Sequence, residues 1–165
     1  MPSLRALPAS NRLNFARSAG FTLLELMIAV AIIAIIARVA FTTYTRSVTK
    51  SRRIAAEVCL ASYASYLERF YTTNLRYDQD SSGNAMNNAA LTAENMPCAS
   101  TSTGTGQYYT YSFSSGFPTQ STYQIQAVPI GTQSNFDSQC GTLSVDQTGT
   151  HYVSTTTPVT TCWPQ

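Results

Sequence analysis

From residue 21 to residue 41 the chain reads FTLLELMIAVAIIAIIARVAF, an apolar run broken only by Thr22, Glu25 and Arg38. As a helix this run is about 32 Å long, enough to cross a hydrocarbon core of about 30 Å. The pattern then changes. Residues 43–73 contain no Pro or Gly, and Val48, Ala55, Cys59, Tyr63, Tyr66 and Phe70 fall on one arc of a helical wheel. Arg46, Lys50, Arg53, Glu57 and Glu68 collect on the opposite side, with Arg52 and Ser62 near the apolar edge. One continuous helix is predicted, membrane-spanning in its first half (21–42) and amphipathic in its second (43–73).

Beyond it, residues 74–106 are rich in Asn, Ser, Thr and Gly and show no sustained period, which predicts a long connecting loop. QYYTYSF (107–113) and TYQIQAV (122–128) are aromatic or β-branched and alternate in part, as half-buried strands do. TLSV (142–145) and THYV (150–153) flank DQTG as a short hairpin, and STTTPVTT (154–161) reads as a surface loop. The expected fold class is α+β: a long amino-terminal helix packed on a small antiparallel sheet in a head spanning 74–165.

Charge sharpens this picture. Of ten Lys and Arg, Arg5, Arg12 and Arg17 precede the apolar run, leaving seven cations against eight acids. Residues 74–165 hold Arg76 alone against Asp78, Asp80, Glu94, Asp137 and Asp146, a net −4. Phosphate neutralisation drives affinity for DNA, so this head is a poor nucleic-acid partner by charge. Tyr108, Tyr109, Tyr111 and Trp163 could stack on bases, and Arg46, Lys50, Arg52 and Arg53 could form a basic patch if exposed.

Glu25 poses a separate problem, because a charge in an apolar segment costs several kcal/mol unless something pairs with it. The order of features before it is informative. A basic leader with Pro2 and Pro8 ends in a small residue, Gly20, which precedes the apolar segment instead of following it as in a secretory signal peptide. Cleavage at Gly20 would leave the apolar helix in the mature chain. The basic leader fits a cytoplasmic amino terminus.

Gly20-Phe21-Thr22-Leu23-Leu24-Glu25 followed by LMIAVAIIAIIA resembles the class III signal of type IV pilins and the related pseudopilins. The resemblance implies removal of a leader, residues 1–20, by a prepilin peptidase, and N-methylation of Phe21. It also implies that Glu25 meets the terminal ammonium of a neighbouring pilin subunit in a helical filament raised from an inner-membrane assembly platform. The expected location is the inner membrane for the precursor and subunit pool, and an extracellular pilus once assembled. Ala34 and Thr42 stand where many pilins carry Gly and Pro. RRIAAEVCLASYASYLERFYTTNLRYD and CGTLSVDQTG with the terminal CW look more like major or minor pilins of the PilE kind than like secretion pseudopilins.

Four cysteines without CxxC spacing argue against a zinc site, and in a chain that leaves the cytoplasm their even number suggests disulfides. Three pairings exist. We expect Cys59 with Cys98, which would pin the connecting loop to the helix, and Cys140 with Cys162, which resembles the D-region loop of pilins.

Catalytic chemistry is not in view: His151 is the only histidine, no GxSxG or HExxH occurs, and GTG at 104–106 lacks the Lys and helix of a phosphate loop. Asp78 with Asp80, and Asp137 with Asp146, read as solvated turn carboxylates without EF-hand spacing. No enzyme activity, cofactor or metal is expected. The reading is a structural subunit of a type IV pilus with roles in assembly, motility or adhesion. A type II secretion pseudopilin and a DNA-binding minor pilin for natural transformation are the alternatives.

Overall fold

The computed structural model describes residues 20–163. Most of the expected leader therefore lies outside the described residues. The chain divides into two compact units, the first ending at Val39 and the second beginning at Ala40. Helix α1, Leu23–Asn74, is 52 residues long and contributes to both.

In the first unit, every described side chain is exposed, as an anchor requires when its solvent is lipid. Thr22 caps the helix: its Oγ1 accepts the Glu25 N–H at 3.2 Å and its carbonyl accepts Leu26 N–H. Thr-x-x-Glu is the spacing of a capping box, and Glu25 lies in the first turn, where the helix dipole favours negative charge.

The second unit packs the later part of α1 against a four-stranded antiparallel sheet. Strands β1 (Tyr109–Phe113), β2 (Gln124–Pro129), β3 (Leu143–Asp146) and β4 (His151–Val153) lie in chain order, each paired with the next. Strict alternation gives β1 its inward face of Tyr109, Tyr111 and Phe113. Ile125 and Ala127 of β2 and Leu143 and Val145 of β3 extend that face, and Ala56, Cys59, Leu60, Tyr63 and Leu67 of α1 close it. Tyr63 and Tyr111 meet with ring centroids 5.4 Å apart.

The face α1 presents is not the predicted arc. Its buried residues run Thr49, Arg53, Ala56, Leu60, Tyr63, Leu67, a four-three spacing joined by Glu57 and Cys59, while Ala55 is exposed and Val48, Tyr66 and Phe70 are only half-buried. Arg53 and Glu57, expected on the polar side, are 9% exposed. The stripe is rotated towards a second element, α3 (Gly131–Phe136), whose Gln133 bonds to the Thr49 carbonyl and which is followed by Asp137, the partner of Arg53.

Residues 74–106 also contain more order than a bare loop. Helix α2, Asn88–Ala93, is capped by Asn87, whose side chain accepts Ala89 and Ala90 N–H groups, and it buries Leu91. Asn88 Oδ1 accepts the Phe113 N–H at 2.7 Å and so fastens α2 along β1. Two short 3-10 turns, Pro97–Ala99 and Thr105–Gln107, pack so closely that a Cβ on Gly106 would lie 2.2 Å from the Ala99 carbonyl oxygen. A final turn, α4 (Val159–Cys162), interrupts the expected surface loop and buries Cys162.

Candidate functional site

Three regions carry residues singled out by the sequence. At the amino terminus, Gly20 and Phe21 precede α1, Phe21 is 81% exposed, and the space beside Gly20 is open. Glu25 is exposed four residues further on. Among the described residues, the group implied for processing and assembly is thus exposed.

The second region joins α1 to α3 and was not foreseen. Arg53 Nη1 donates to Asp137 Oδ1 in a buried ion pair. Tyr109 Oη and Gln133 Nε2 donate to the other oxygen of Asp137 at 3.0 and 3.2 Å, and Gln133 Nε2 also reaches the Thr49 carbonyl at 3.1 Å. Glu57 Oε1 faces Arg53 Nε at 4.0 Å, within ion-pair range but past a hydrogen bond. One guanidinium therefore serves two buried carboxylates. Burial pushes the Glu57 carboxyl up to about 7, with Arg53 pulling it back and Asp137 repelling it further. Burial and the neighbouring Asp137 also push the Tyr109 hydroxyl up, which keeps it a donor. Asp137 is accordingly no solvated turn carboxylate: it is 2% exposed and holds α3 against α1. A signal existed in the sequence, namely the four-three spacing from Thr49 to Leu67, which is masked when only apolar residues are scored.

The third region is the set of cations and aromatics available to a polyanion. Arg53 is withdrawn from the candidate patch by Asp137, and Arg76 forms a two-pronged pair with Asp78 at 2.6 and 2.8 Å. Arg46, Lys50 and Arg69 of α1 are exposed, and the Arg52 guanidinium lies 3.8 Å from the Tyr108 ring centroid. Tyr109, Tyr111 and Trp163 are 1%, 9% and 7% exposed, so they are core and not stacking platforms. Trp163 instead stacks on His151, with centroids 3.9 Å apart, and donates its indole N–H to the Tyr152 carbonyl. Asp80 and Asp146 accept backbone N–H groups of their own turns.

The cysteines form two disulfides, Cys59–Cys98 between α1 and the turn after α2, and Cys140–Cys162 between the segment preceding β3 and α4. A groove of about 560 Å³ opens beside the first, between Tyr63, Thr92, Asn95, Ser100 and β1. Its lining offers hydroxyl and amide groups but no carboxylate, amine or imidazole, so it lacks a nucleophile paired with a base.

Comparison with known proteins identifies the chain from both ends. Residues 15–37 match the prokaryotic N-terminal methylation motif, a stretch that includes Gly20, Phe21 and Glu25. Residues 42–144 match the family described as type IV minor pilin ComP, DNA uptake sequence receptor. The chain belongs to this family. The match begins just past the apolar run and ends inside β3, so it takes in the amphipathic half of α1, the α1–α3 polar cluster and three strands. This type IV minor pilin is also similar to a type IV pilin from Shewanella oneidensis, at 28% identity over 71% of this chain and 99% of that one, with a TM-score of 0.44. No curated protein matches it.

Proposed function

We propose that this chain is a minor subunit of a type IV pilus that contacts DNA during its uptake. The observation that supports the reading is the family match over residues 42–144. In this reading a prepilin peptidase removes the leader at Gly20 and Phe21 becomes the methylated amino terminus. Glu25, exposed in the first turn of α1, pairs with the terminal ammonium of the next subunit when the helices bundle. The subunit waits in the inner membrane and ends in an extracellular filament. The family favours a pilus over a secretion pseudopilus.

Contact with DNA must be reconciled with a carboxyl-terminal region of net −4. The cations free of carboxylate pairing in the second unit, among the described residues, are Arg46, Lys50, Arg52 and Arg69, all on α1. Four cations neutralise at most four phosphates, which sets a salt slope of log K no steeper than about −4. Binding is therefore weak and screened by salt, and within this set only Arg46 and Lys50, one turn apart, share a face of the helix.

The experiment is a mobility shift of labelled duplex DNA with the detergent-solubilised mature chain at about 50 and 200 mM salt. A shift at the lower salt that fades at the higher, and weakens in Arg46→Gln/Lys50→Gln, is expected. No shift at low salt would remove the DNA contact and leave the filament role, which is tested separately by the presence of a chain beginning at Phe21 in sheared pili.

A further inference from the structure

The groove beside Cys59–Cys98 runs along the border of β1. Tyr109, Thr110 and Tyr111 all line it, although Tyr109 and Tyr111 are buried and Thr110 belongs to the exposed face. Either face of a strand shows every second residue, so a cleft lined by three in a row meets the strand from the side. Register shows what that side offers. The Tyr108 carbonyl takes the Ile130 N–H and Ser114 gives its N–H to the Gln124 carbonyl, so the even-numbered residues bond towards β2. The odd-numbered ones turn away from it, as Phe113 does in giving its N–H to Asn88. The main-chain groups of Tyr109 and Tyr111 point the same way, and among the described residues nothing takes them. Helix α2 thus fastens the Phe113 end of this border, and the short Tyr109–Tyr111 end opens on the groove.

A second observation points into the same space. Tyr63 lines the groove and is 3% exposed, yet its hydroxyl has no hydrogen-bond partner among the described residues. The unpartnered polar atoms sealed from solvent belong to Arg53, Glu57 and Gln133, so Tyr63 Oη is not sealed and reaches the groove. Buried polar groups are ordinarily paired, and a ligand here would supply the missing partner. Asn95, Thr101 and Thr110 add further side chains that make no hydrogen bond of their own. This lining sets the chemistry of the ligand. It holds no Lys, Arg, His, Asp or Glu, which disfavours an ion. Tyr63, Tyr109 and Tyr111 are packed within the core, which leaves no open ring face for a base or a sugar. The donors and acceptors of a strand border are those that an extended main chain matches. The wall is also preformed, because Cys59–Cys98 ties it to α1 and the Thr105 hydroxyl donates to the Cys98 carbonyl at 2.7 Å, so binding loses little freedom there.

We propose that this groove takes an extended, uncharged segment of a partner protein, which exchanges main-chain hydrogen bonds with Tyr109 and Tyr111 and sets a hydroxyl or amide side chain against Tyr63 Oη. The main chain supplies the affinity, and the fit of side chains beside Tyr63, Asn95 and Thr101 selects the partner. An open border from Tyr109 to Tyr111 pairs with such a segment and is too short to stack a second sheet. The site is separate from the exposed cations of α1 and does not depend on contact with DNA.

The test is a nuclear magnetic resonance titration of the isotope-labelled, full mature chain in detergent micelles with a capped heptapeptide of alternating Thr and Ser. Saturable shifts of the Tyr109 and Tyr111 amide resonances are expected, with a Kd on the order of 1 mM for this unselected sequence. The N-methylated form of the peptide has no N–H to give and should bind at least about ten-fold more weakly. Tyr63→Phe keeps the ring and should weaken the parent peptide by about two- to ten-fold. Resonances that stay in place up to about 10 mM peptide would overturn the proposal, as would equal binding of the N-methylated form. Shifts of the same resonances by maltotriose or by a thymidine hexanucleotide, but not by the peptide, would overturn it in favour of a sugar or a nucleic acid. Unchanged affinity in Tyr63→Phe would overturn the place given to Tyr63.

Discussion

Replacing Glu57 by Gln should stabilise the head at alkaline pH and leave it unchanged in mild acid. Glu57 is 9% exposed beside Arg53, and burial raises its carboxyl from an ordinary 4.5 to about 7. The sign follows from proton counting: between those two values the folded state holds a proton that the unfolded chain has released, so stability falls as pH rises through the window and levels off above it. The gap corresponds to at most about 3 kcal/mol, and with Arg53 close by we expect about 2 kcal/mol to be realised. Gln keeps the shape and stays neutral, so Glu57→Gln should melt higher at pH 8 by on the order of 5–10 °C for a unit of this size. Below about pH 4.5, the ordinary value, the two proteins should melt together. The assay is near-ultraviolet circular dichroism of the detergent-solubilised mature chain, heated at several pH values between about 4 and 8.5. The carboxylates held low, Asp78, Asp80 and Asp146, lose their contribution only as pH falls below the ordinary carboxylate range, outside this window. An offset between the two proteins that is the same at every pH would refute the reasoning, because it would mean that packing and not charge separates them.

Four further outcomes are expected. Cys162→Ser opens a closed segment of 22 residues and should cost about 3 kcal/mol by chain entropy, seen as protease sensitivity of the β3–β4 region while the amino terminus is still processed; unchanged resistance would contradict it. Gly106→Ala drives a methyl into the Ala99 carbonyl and should cost about 1–3 kcal/mol, read as a lower urea midpoint, with an unshifted midpoint counting against the close approach. Glu25→Ala should insert as well as the parent or better, since a carboxylate costs an inserted helix up to about 3 kcal/mol, less near its end, but should be scarce in sheared pili; normal incorporation would sink the pairing with a neighbour's ammonium. Gly20→Arg should block maturation, and a mass showing a chain that starts at Phe21 would void the processing assignment.

How far the sequence could be read depended on which force dominates each segment. Helix α1 was legible because a stretch from 21 to 73 without Pro or Gly leaves hydropathy and propensity in agreement. The strands were legible because Tyr109, Tyr111 and Phe113, then Ile125 and Ala127, alternate with polar neighbours. The buried stripe of α1 was misplaced because Thr49, Arg53 and Glu57 are polar: Thr49 and Arg53 meet Gln133 and Asp137, 84 residues away, and Glu57 lies beside Arg53. Nothing in GTQSNF, the sequence of α3, carries an amphipathic period, so that element is fixed by tertiary partners and not by local preference. Helix α2 buries one large residue, Leu91, and the one local sign of it was Asn87 at the cap. The tyrosines from 108 to 111 illustrate the converse difficulty, because an aromatic cluster reads equally well as a core or as a stacking surface until exposure is known.

A chain whose helix is meant to polymerise has a particular need: its sheet must not. An open row of backbone donors and acceptors is a template for pairing with another copy. In this head the meander order leaves two borders, β1 and β4. One border is occupied, because Asn88 takes the Phe113 N–H and α2 lies along β1. The other is only three residues long and is hemmed by a covalent strap from Cys140 to Cys162 that brings Trp163 onto His151. Neither offers a docking strand the length of pairing that a growing β-stack needs. In the proposed filament, self-association is thereby kept off the sheet and left to α1.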